Sequence, residues 1–179
     1  MKIMESGYII RSARAEELVL LAQIERSAAR LFLDTPYAFL ANDELLSLDF
    51  VQQRFHAGQV WVAADPDDVV VGFAITREVD STIYLQEMDV DPAHGRRGLG
   101  AALVETVIEW ARVHGYQAVS LSTFRDLSWN APFYAKLGFR ILDESELTIG
   151  FQQIRQQELE AGLPILERVI MYCQLPPNK

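Results

Sequence analysis

The amino-acid sequence predicts a single mixed α/β domain, and three observations lead to this fold class. The chain has 179 residues, which is enough for one compact core and marginal for two. Half of the residues are apolar, so the chain can bury a core and is not expected to be disordered. About seven strand-like runs are interspersed with helical periodicities, with hairpins first and helical crossovers later.

The first third of the chain predicts one strand and two helices. The strand covers residues 8–12, and a helix follows over 13–31. Apolar residues recur in this helix at helical spacing: Leu18, Leu21, Ile24 and Ala28. Asn42 or Asp43 is the expected cap of a second helix that ends near His56.

Three strands are predicted next, over residues 59–64, 69–76 and 82–90. The turn signal Asp-Pro-Asp-Asp at 65–68 joins the first two as a hairpin. A helix over 99–114 follows, and its amphipathic pattern ends at a glycine.

The last third predicts alternating short strands and helices. The expected elements are a strand at 117–123, a helix at 129–137, a strand at 139–142, a helix at 152–161 and a strand at 169–174. We expect one domain over residues 7–175, with short tails at 1–6 and 176–179.

Composition excludes several classes of function. No apolar run reaches 18 residues, so no membrane span is expected, and no secretory signal precedes residue 8. We therefore expect a cytoplasmic protein. A net charge of −9 argues against a nucleic-acid partner. Cys173 is the one cysteine and is expected to be a buried, inert thiol. The histidines lack metal-ligand spacing, so no metal is expected: His56, His94 and His114.

The most informative segment is the glycine-rich stretch at residues 91–103, between a strand and a helix. Such a turn exposes backbone N–H groups, and the helix directs the positive end of its dipole at the same place. Gly98 and Gly100 let the backbone approach an anion and tolerate a positive φ. Arg96 and Arg97 add positive charge. The segment therefore predicts a phosphate or pyrophosphate site.

Two nucleotide-binding motifs fail on the positions that carry their chemistry. A dinucleotide fingerprint needs a third glycine where this chain has Leu103, and residues 118–122 lack the acid that binds a ribose. A P-loop needs Gly-Lys-Ser/Thr, which does not occur in the sequence.

The segment instead resembles the cofactor loop of the GNAT superfamily, the acetyl-CoA-dependent N-acetyltransferases. Gly98-Leu99-Gly100 matches the second half of that family's motif, Gln/Arg-x-x-Gly-x-Gly/Ala. The first position of the motif is Gly95, so Arg96 is displaced by one residue. The resemblance implies a single-domain GNAT-like fold with a mixed, mostly antiparallel central sheet flanked by helices.

A second segment, residues 121–139, carries the same resemblance. It resembles the family's Phe-Tyr-x-x-x-Gly-Phe ending, in which the tyrosine is here Tyr134. The family's asparagine seven residues before the tyrosine is replaced by Leu127, and the nearest asparagine is Asn130. The residues that the resemblance assigns to acetyl-CoA are a strand end, the glycine loop and this asparagine: Met88, Asp89, Val90, Gly95, Arg96, Arg97, Gly98, Leu99, Gly100, Ala101 and Asn130.

The resemblance also suggests catalytic roles for two residues. Tyr134 is the candidate acid for the leaving thiolate, since a phenol with a pKa of about 10 stays protonated at pH 7; the alternative is a core tyrosine. Glu87 is the candidate base, with Asp89 as second choice, and the alternative is a structural acid held by salt bridges or hydrogen bonds. A backbone N–H around Met88 to Val90 is the expected oxyanion donor.

The resemblance places a wall of the acceptor pocket on the first two helices. The side chains in this region are either pocket wall, packing or surface: Arg30, Phe32, Tyr37 and Phe39. Trp129 lies either at the pocket mouth or in a core or lid position.

The sequence therefore predicts an N-acetyltransferase that moves the acetyl group of acetyl-CoA directly to a primary amine. Direct transfer is preferred because no activated cysteine or Ser-His pair is evident. The alternative is a non-catalytic acyl-CoA-binding module of the same fold, and the acyl group could also be other than acetyl. The expected partners are a small-molecule or peptide amine and neither nucleic acid nor membrane; a homodimer is left open.

Overall fold

The computed structural model describes residues 1–176 and confirms a mixed α/β fold with helices flanking the sheet. Residues 177–179 of the expected C-terminal tail lie outside the described part. The described strands are β1 (Lys2–Ile3), β2 (Ile9–Ser12), β3 (Val60–Ala64), β4 (Val70–Val79), β5 (Thr82–Val90), β6 (Ala118–Phe124), β7 (Arg140–Ile141) and β8 (Arg168–Gln174). The described α-helices are α1 (Leu21–Ala29), α2 (Leu48–His56), α3 (Leu99–Val113), α4 (Ala131–Lys136) and α5 (Ile149–Glu160).

The strands hydrogen-bond in the order β1-β2-β3-β4-β5-β6-β8-β7. The sheet has eight strands where the sequence predicted about seven, and the additional one is β1. It pairs antiparallel with β2, with Lys2 opposite Ile10. β1 lies in the expected N-terminal tail, where its two residues show no alternating pattern, whereas the equally short β7 lies within the strand predicted at 139–142.

The chain divides into two compact units. The first comprises Met1–Thr76 and Gln86–Thr106, and the second comprises Arg77–Leu85 and the residues from 107 onward. Since β4, β5 and α3 each cross a boundary, both units contain parts of these three elements.

In the first unit, the antiparallel strands β2, β3 and β4 form a layer against α1 and α2. Arg11 lies opposite Val62 in the β2–β3 pair, and a bulge between Ala63 and Ala64 interrupts the β3–β4 register. All five residues of β3 are buried. The core between helices and strands consists of apolar side chains from both: Ala13, Leu18, Leu21, Ile24, Val51, Val60, Val62, Val70, Phe73 and Ile75.

Both helices of this unit differ from their predicted bounds. The helix expected over 13–31 is a 3-10 turn at Ala15–Leu20, followed by α1 and a further 3-10 turn at Arg30–Phe32. The helix expected from Asn42 or Asp43 begins at Leu48 instead, because the side chain of Ser47 accepts the hydrogen bond from the backbone N–H of Phe50.

In the second unit, β5 pairs parallel with β6, whereas β6 and β7 pair antiparallel with β8. This combination makes the sheet mixed and mostly antiparallel, as expected. A core cluster forms between α5 and strands β4, β5 and β8, and its buried members are Val79, Tyr84, Phe151, Ile154 and Ile170. The side chain of Thr148 caps α5, which therefore begins earlier than the predicted residue 152.

Candidate functional site

The glycine-rich segment forms a compact turn between β5 and α3 in the first unit. Asp91 begins it: the side chain of Asp91 accepts a hydrogen bond from the N–H of Ala93, which caps the 3-10 turn Pro92–His94. The backbone N–H of Asp91 donates to the carbonyl of Val71 on β4 at 2.8 Å. The end of β5 is thereby fixed where the chain enters the loop.

The loop presents open backbone donors at the start of α3. The first hydrogen bond of the helix runs from the N–H of Ala102 to the carbonyl of Gly98 at 3.0 Å. The N–H groups of Leu99, Gly100 and Ala101 therefore have no partner within the helix. They lie at the positive end of a helix of 15 residues, which is the arrangement that binds an anion.

The two glycines of the motif have different roles. Gly98 has a φ of +79°, and a Cβ built there would meet only the Cε of Met4, at 3.7 Å. Gly98 is therefore needed for its backbone conformation, while the space beside it is open. Gly100 does not use its tolerance of a positive φ, because this residue lies in the first turn of α3 and takes helical dihedrals.

Two arginines and a tyrosine surround the loop. Arg96 and Arg97 are exposed, and Arg96 has a positive φ of 59°. The guanidinium of Arg97 lies 5.8 Å from the centre of the Tyr8 ring. The hydroxyl of Tyr8 is 2.9 Å from Nδ1 of His94. Tyr8 was not a predicted site residue, and no sequence signal connects it to a loop 86 residues away.

The acids predicted on β5 lie in the same unit as the loop. Glu87 and Asp89 are both half-buried. Burial, followed by the charges of Glu87 and Glu25, raises the pKa of Asp89 well above its usual value. A buried carboxyl group with a raised pKa is a candidate general base.

Glu25 of α1 is an acid of the first unit that the sequence analysis did not single out, and its charge acts on Asp89. Both carboxylate oxygens of Glu25 accept hydrogen bonds from the backbone N–H of Leu46, at 3.2 Å. Burial and the charge of Asp43 raise its pKa, while the bond from Leu46 and the charge of Arg26 oppose that shift. A signal was available: Glu25 lies four residues after Leu21, on the apolar stripe of the helix, where an acid is unusual.

Gly72 of β4 is a second residue without a predicted role. A Cβ at this position would lie 2.9 Å from the backbone oxygen of Asp89 and 3.1 Å from Cγ2 of Val90. The glycine therefore lets β4 approach the part of β5 that carries the acid.

The second unit holds Tyr134 and Asn130. Tyr134 is 8% exposed on α4, and its ring packs edge-on against Phe133 and Phe139. The side-chain oxygen of Asn130 accepts a hydrogen bond from the hydroxyl of Thr123. These contacts describe an ordered local structure, and the assignments of Tyr134 to acid catalysis and Asn130 to the cofactor stay predictions.

The residues expected to line an acceptor pocket occupy different environments. Tyr37 is buried, Phe32 is half-buried, and Phe39 is 52% exposed. Arg30 is exposed and lines an open groove on α1 together with Arg26. Trp129 is 40% exposed.

Cys173 lies on β8 of the second unit. The thiol is half-buried, and burial raises its pKa. A raised pKa lowers the fraction of nucleophilic thiolate, so the setting of Cys173 does not suit an acyl-enzyme mechanism.

Within residues 1–176, no helix combines the length and apolar character that a bilayer span requires. The same residues contain no group of three or more His, Cys, Asp or Glu side chains arranged to hold a metal ion.

Residues 22–139 match the sequence profile described as the acetyltransferase (GNAT) family. A curated relative, N-acetylaspartate synthetase of Danio rerio, is 38% identical over 87 residues, which are 48% of this chain and 31% of the relative. The chain spans about a third of the length of the N-acetylaspartate synthetases that it matches.

Two solved structures share the fold. The PaiA N-acetyltransferase from Thermoplasma acidophilum, in complex with coenzyme A, has a TM-score of 0.68 and 16% identity over 94% of this chain and 99% of that chain. N-acetylglutamate synthase from Neisseria gonorrhoeae, complexed with coenzyme A and N-acetyl-glutamate, has a TM-score of 0.71 and 16% identity over 97% of this chain and 36% of that chain.

Proposed function

We propose that this chain, which belongs to the acetyltransferase (GNAT) family, is an N-acetyltransferase. It moves the acetyl group of acetyl-CoA directly to a primary amine. One observation carries the proposal. A single strand, β5, holds an acid of raised pKa, Asp89, and continues into a loop whose backbone N–H groups are open to an anion.

Acetyl-CoA would bind through its pyrophosphate at the start of α3. The N–H groups of Leu99, Gly100 and Ala101 have no partner within the helix, and Gly98 places no side chain over them. Arg96 and Arg97 add positive charge at an exposed position. Charge-assisted hydrogen bonds of this kind are about twice as strong as neutral ones, and a loop of this shape suits them.

Removal of a proton from the acceptor is the first chemical requirement. An alkylamine with a pKa of about 10.4 is almost fully protonated at pH 7. Glu87, directly or through water, is the base that the sequence suggested. The raised pKa of Asp89 makes it the competing candidate, because a base is most effective when its pKa lies near the working pH.

Transfer then follows in two steps. The neutral amine nitrogen attacks the thioester carbonyl, and a backbone N–H near Met88 to Val90 holds the oxyanion. The base releases the first proton to solvent and accepts the second proton from the amine nitrogen. The carbon–sulfur bond breaks, and the departing thiolate takes a proton. We assign that last proton to Tyr134 on the strength of its sequence motif.

A turnover assay tests the proposal. The purified chain is mixed with acetyl-CoA and a panel of primary amines. The panel includes aspartate and glutamate, because a relative is an N-acetylaspartate synthetase and a structure of the same fold is an N-acetylglutamate synthase. Acetylated product is measured by mass spectrometry, and CoA affinity by calorimetry. Product formation supports the proposal. CoA binding without product from any amine would instead support an acyl-CoA-binding module.

The identity of the acyl group is tested by comparing succinyl-CoA and other acyl-CoA donors with acetyl-CoA, since the loop would bind the pyrophosphate that they share. A cytoplasmic location is tested by fractionation of cells that produce the chain.

A further inference from the structure

The first unit contains an apolar cavity of about 150 Å³. Its walls come from the 3-10 turn before α1, from α1, from the segment before α2 and from β4. The apolar side chains that line it include Leu18, Leu21, Ala22, Leu46, Phe73 and Ile75. A cavity of about this volume with aliphatic and aromatic walls accommodates a benzene-sized group.

One acid, Glu25, interrupts this apolar lining. Within residues 1–176 it forms no ion pair; its hydrogen bonds come from the neutral N–H of Leu46. The neighbouring Arg26 donates instead to the carbonyls of Ala41 and Asp43. Arg26 acts on Glu25 only through its charge. A half-buried carboxyl group that forms no salt bridge suits a ligand that brings a positive charge.

Glu25 also connects the cavity to the acids of β5. Its charge, like that of Glu87, acts on Asp89, so the three carboxyl groups are electrostatic neighbours within the first unit. Beyond Asp89 the strand continues into the loop that begins at Asp91. The geometry links the same places, because Phe73 lines the cavity and follows Gly72, where a Cβ would lie 2.9 Å from the backbone oxygen of Asp89. A ligand in the cavity beside Glu25 would therefore lie against the part of β4 that packs on the acid-bearing end of β5.

We propose that this cavity receives the side chain of the acceptor, and that Glu25 binds the acceptor's ammonium group before transfer. This inference rests on the proposed function and adds a substrate class. The acceptor is a primary amine with a branched alkyl or phenyl group of about four to six carbons, a size that follows from the cavity volume. A second carboxylate on the acceptor is disfavoured, because Glu25, Glu87 and Asp89 would repel it.

Matched acceptors test the size of the pocket. Isopentylamine differs from ethylamine by three buried carbons, and each buried methylene increases binding about fourfold. We expect kcat/KM for isopentylamine to exceed that for ethylamine by about 50-fold, and aspartate to be the poorest of the three. A ratio near one, or aspartate as the best acceptor, would overturn the proposal.

Variants locate the effect at the cavity. Ala22→Leu fills the cavity and should reduce the isopentylamine-to-ethylamine ratio to near one. Ala29→Leu adds the same atoms to the same helix away from the cavity lining, and should keep the ratio of the unmodified chain. Glu25→Gln should lower kcat/KM for isopentylamine about tenfold and lower it less for aspartate. Melting temperatures show whether each variant is folded.

A binding measurement separates this inference from the proposed function. Calorimetry with isopentylamine in the presence of CoA reports on the cavity without turnover. Binding that Ala22→Leu abolishes, in a chain that acetylates no amine, would support the cavity and contradict the transferase proposal. Acetylation of polar amines alone, with no isopentylamine binding, would support the transferase and overturn the cavity assignment.

Discussion

Substitution of Gly98 by alanine tests the cofactor loop most directly. Gly98 has a φ of +79°, and its added Cβ would meet only the flexible Cε of Met4 at 3.7 Å. The cost is therefore conformational rather than steric. An L-residue in the left-handed region is less stable by roughly 1–2 kcal/mol. The backbone either keeps this conformation at that cost or relaxes and reorients the N–H groups at the start of α3.

The two consequences have different magnitudes. For a chain of this size, 1 kcal/mol lowers the melting temperature by about 2–4 °C, so we expect a decrease of about 2–8 °C. Misalignment of one N–H donor to a charged phosphate costs about 1.5–3 kcal/mol. The dissociation constant for CoA should therefore increase about 10- to 100-fold.

Gly162 offers a matched control in the other unit. Its φ is +77°, and a Cβ there would meet nothing within 4 Å. Gly162→Ala should lower the melting temperature by a similar amount and leave CoA affinity unchanged. Calorimetric titration with CoA and thermal unfolding are measured for both variants. A folded Gly98→Ala variant with unaltered affinity, or an equal loss in Gly162→Ala, would refute the assignment of the loop.

Three further predictions concern proton transfer and stability. Tyr134→Phe should lower turnover by about 10²- to 10⁴-fold with little change in CoA affinity; near-normal turnover would make Tyr134 a core residue. Glu87→Gln should lose activity most near pH 7 and recover at higher pH if Glu87 is the base. If Asp89 is the base instead, Glu87→Gln removes a charge that raises the pKa of Asp89. The acid limb of the pH–rate profile should then move to lower pH. An unchanged profile would contradict the assignment of Glu87 and the assignment of Asp89 as the base. Burial raises the pKa of Glu17, but the hydrogen bonds from Arg11 and from the backbone of Arg14 outweigh burial and leave that pKa lowered. Glu17→Gln should therefore lower the free energy of unfolding by about 3 kcal/mol at pH 7. Chemical unfolding should show that the gap in stability between the variant and the unmodified chain shrinks as the pH falls below the ordinary value of 4.5.

The sequence by itself determined the features that depend on local backbone geometry. Strand β5 was predicted at residues 82–90, as observed, and the predicted helix at 99–114 differs from α3 by one residue. Side-chain alternation and helical periodicity arise within a few residues, so they can be read along the chain. The loop at 91–101 was also predicted from local sequence, because its turn, its glycines and the start of its helix are contiguous in the chain.

Helix starts in the first unit were less accurately predicted. Residues 38–42 form a 3-10 turn, and Ser47 rather than Asn42 or Asp43 caps α2. Several residues in this stretch are good caps, and local preference does not choose between them. The choice depends on where Val51 can reach the core of the unit.

Only the tertiary structure decided which distant residues meet. The charges of Glu25 and Glu87 both raise the pKa of Asp89 although 62 residues separate the two glutamates. The hydroxyl of Tyr8 contacts His94 across 86 residues. Such contacts depend on how a helix packs against a sheet and on which strands pair, and neither is encoded in the periodicity of either segment. The pKa of Asp89 follows from that packing, because burial and neighbouring charge exist only once the chain is folded.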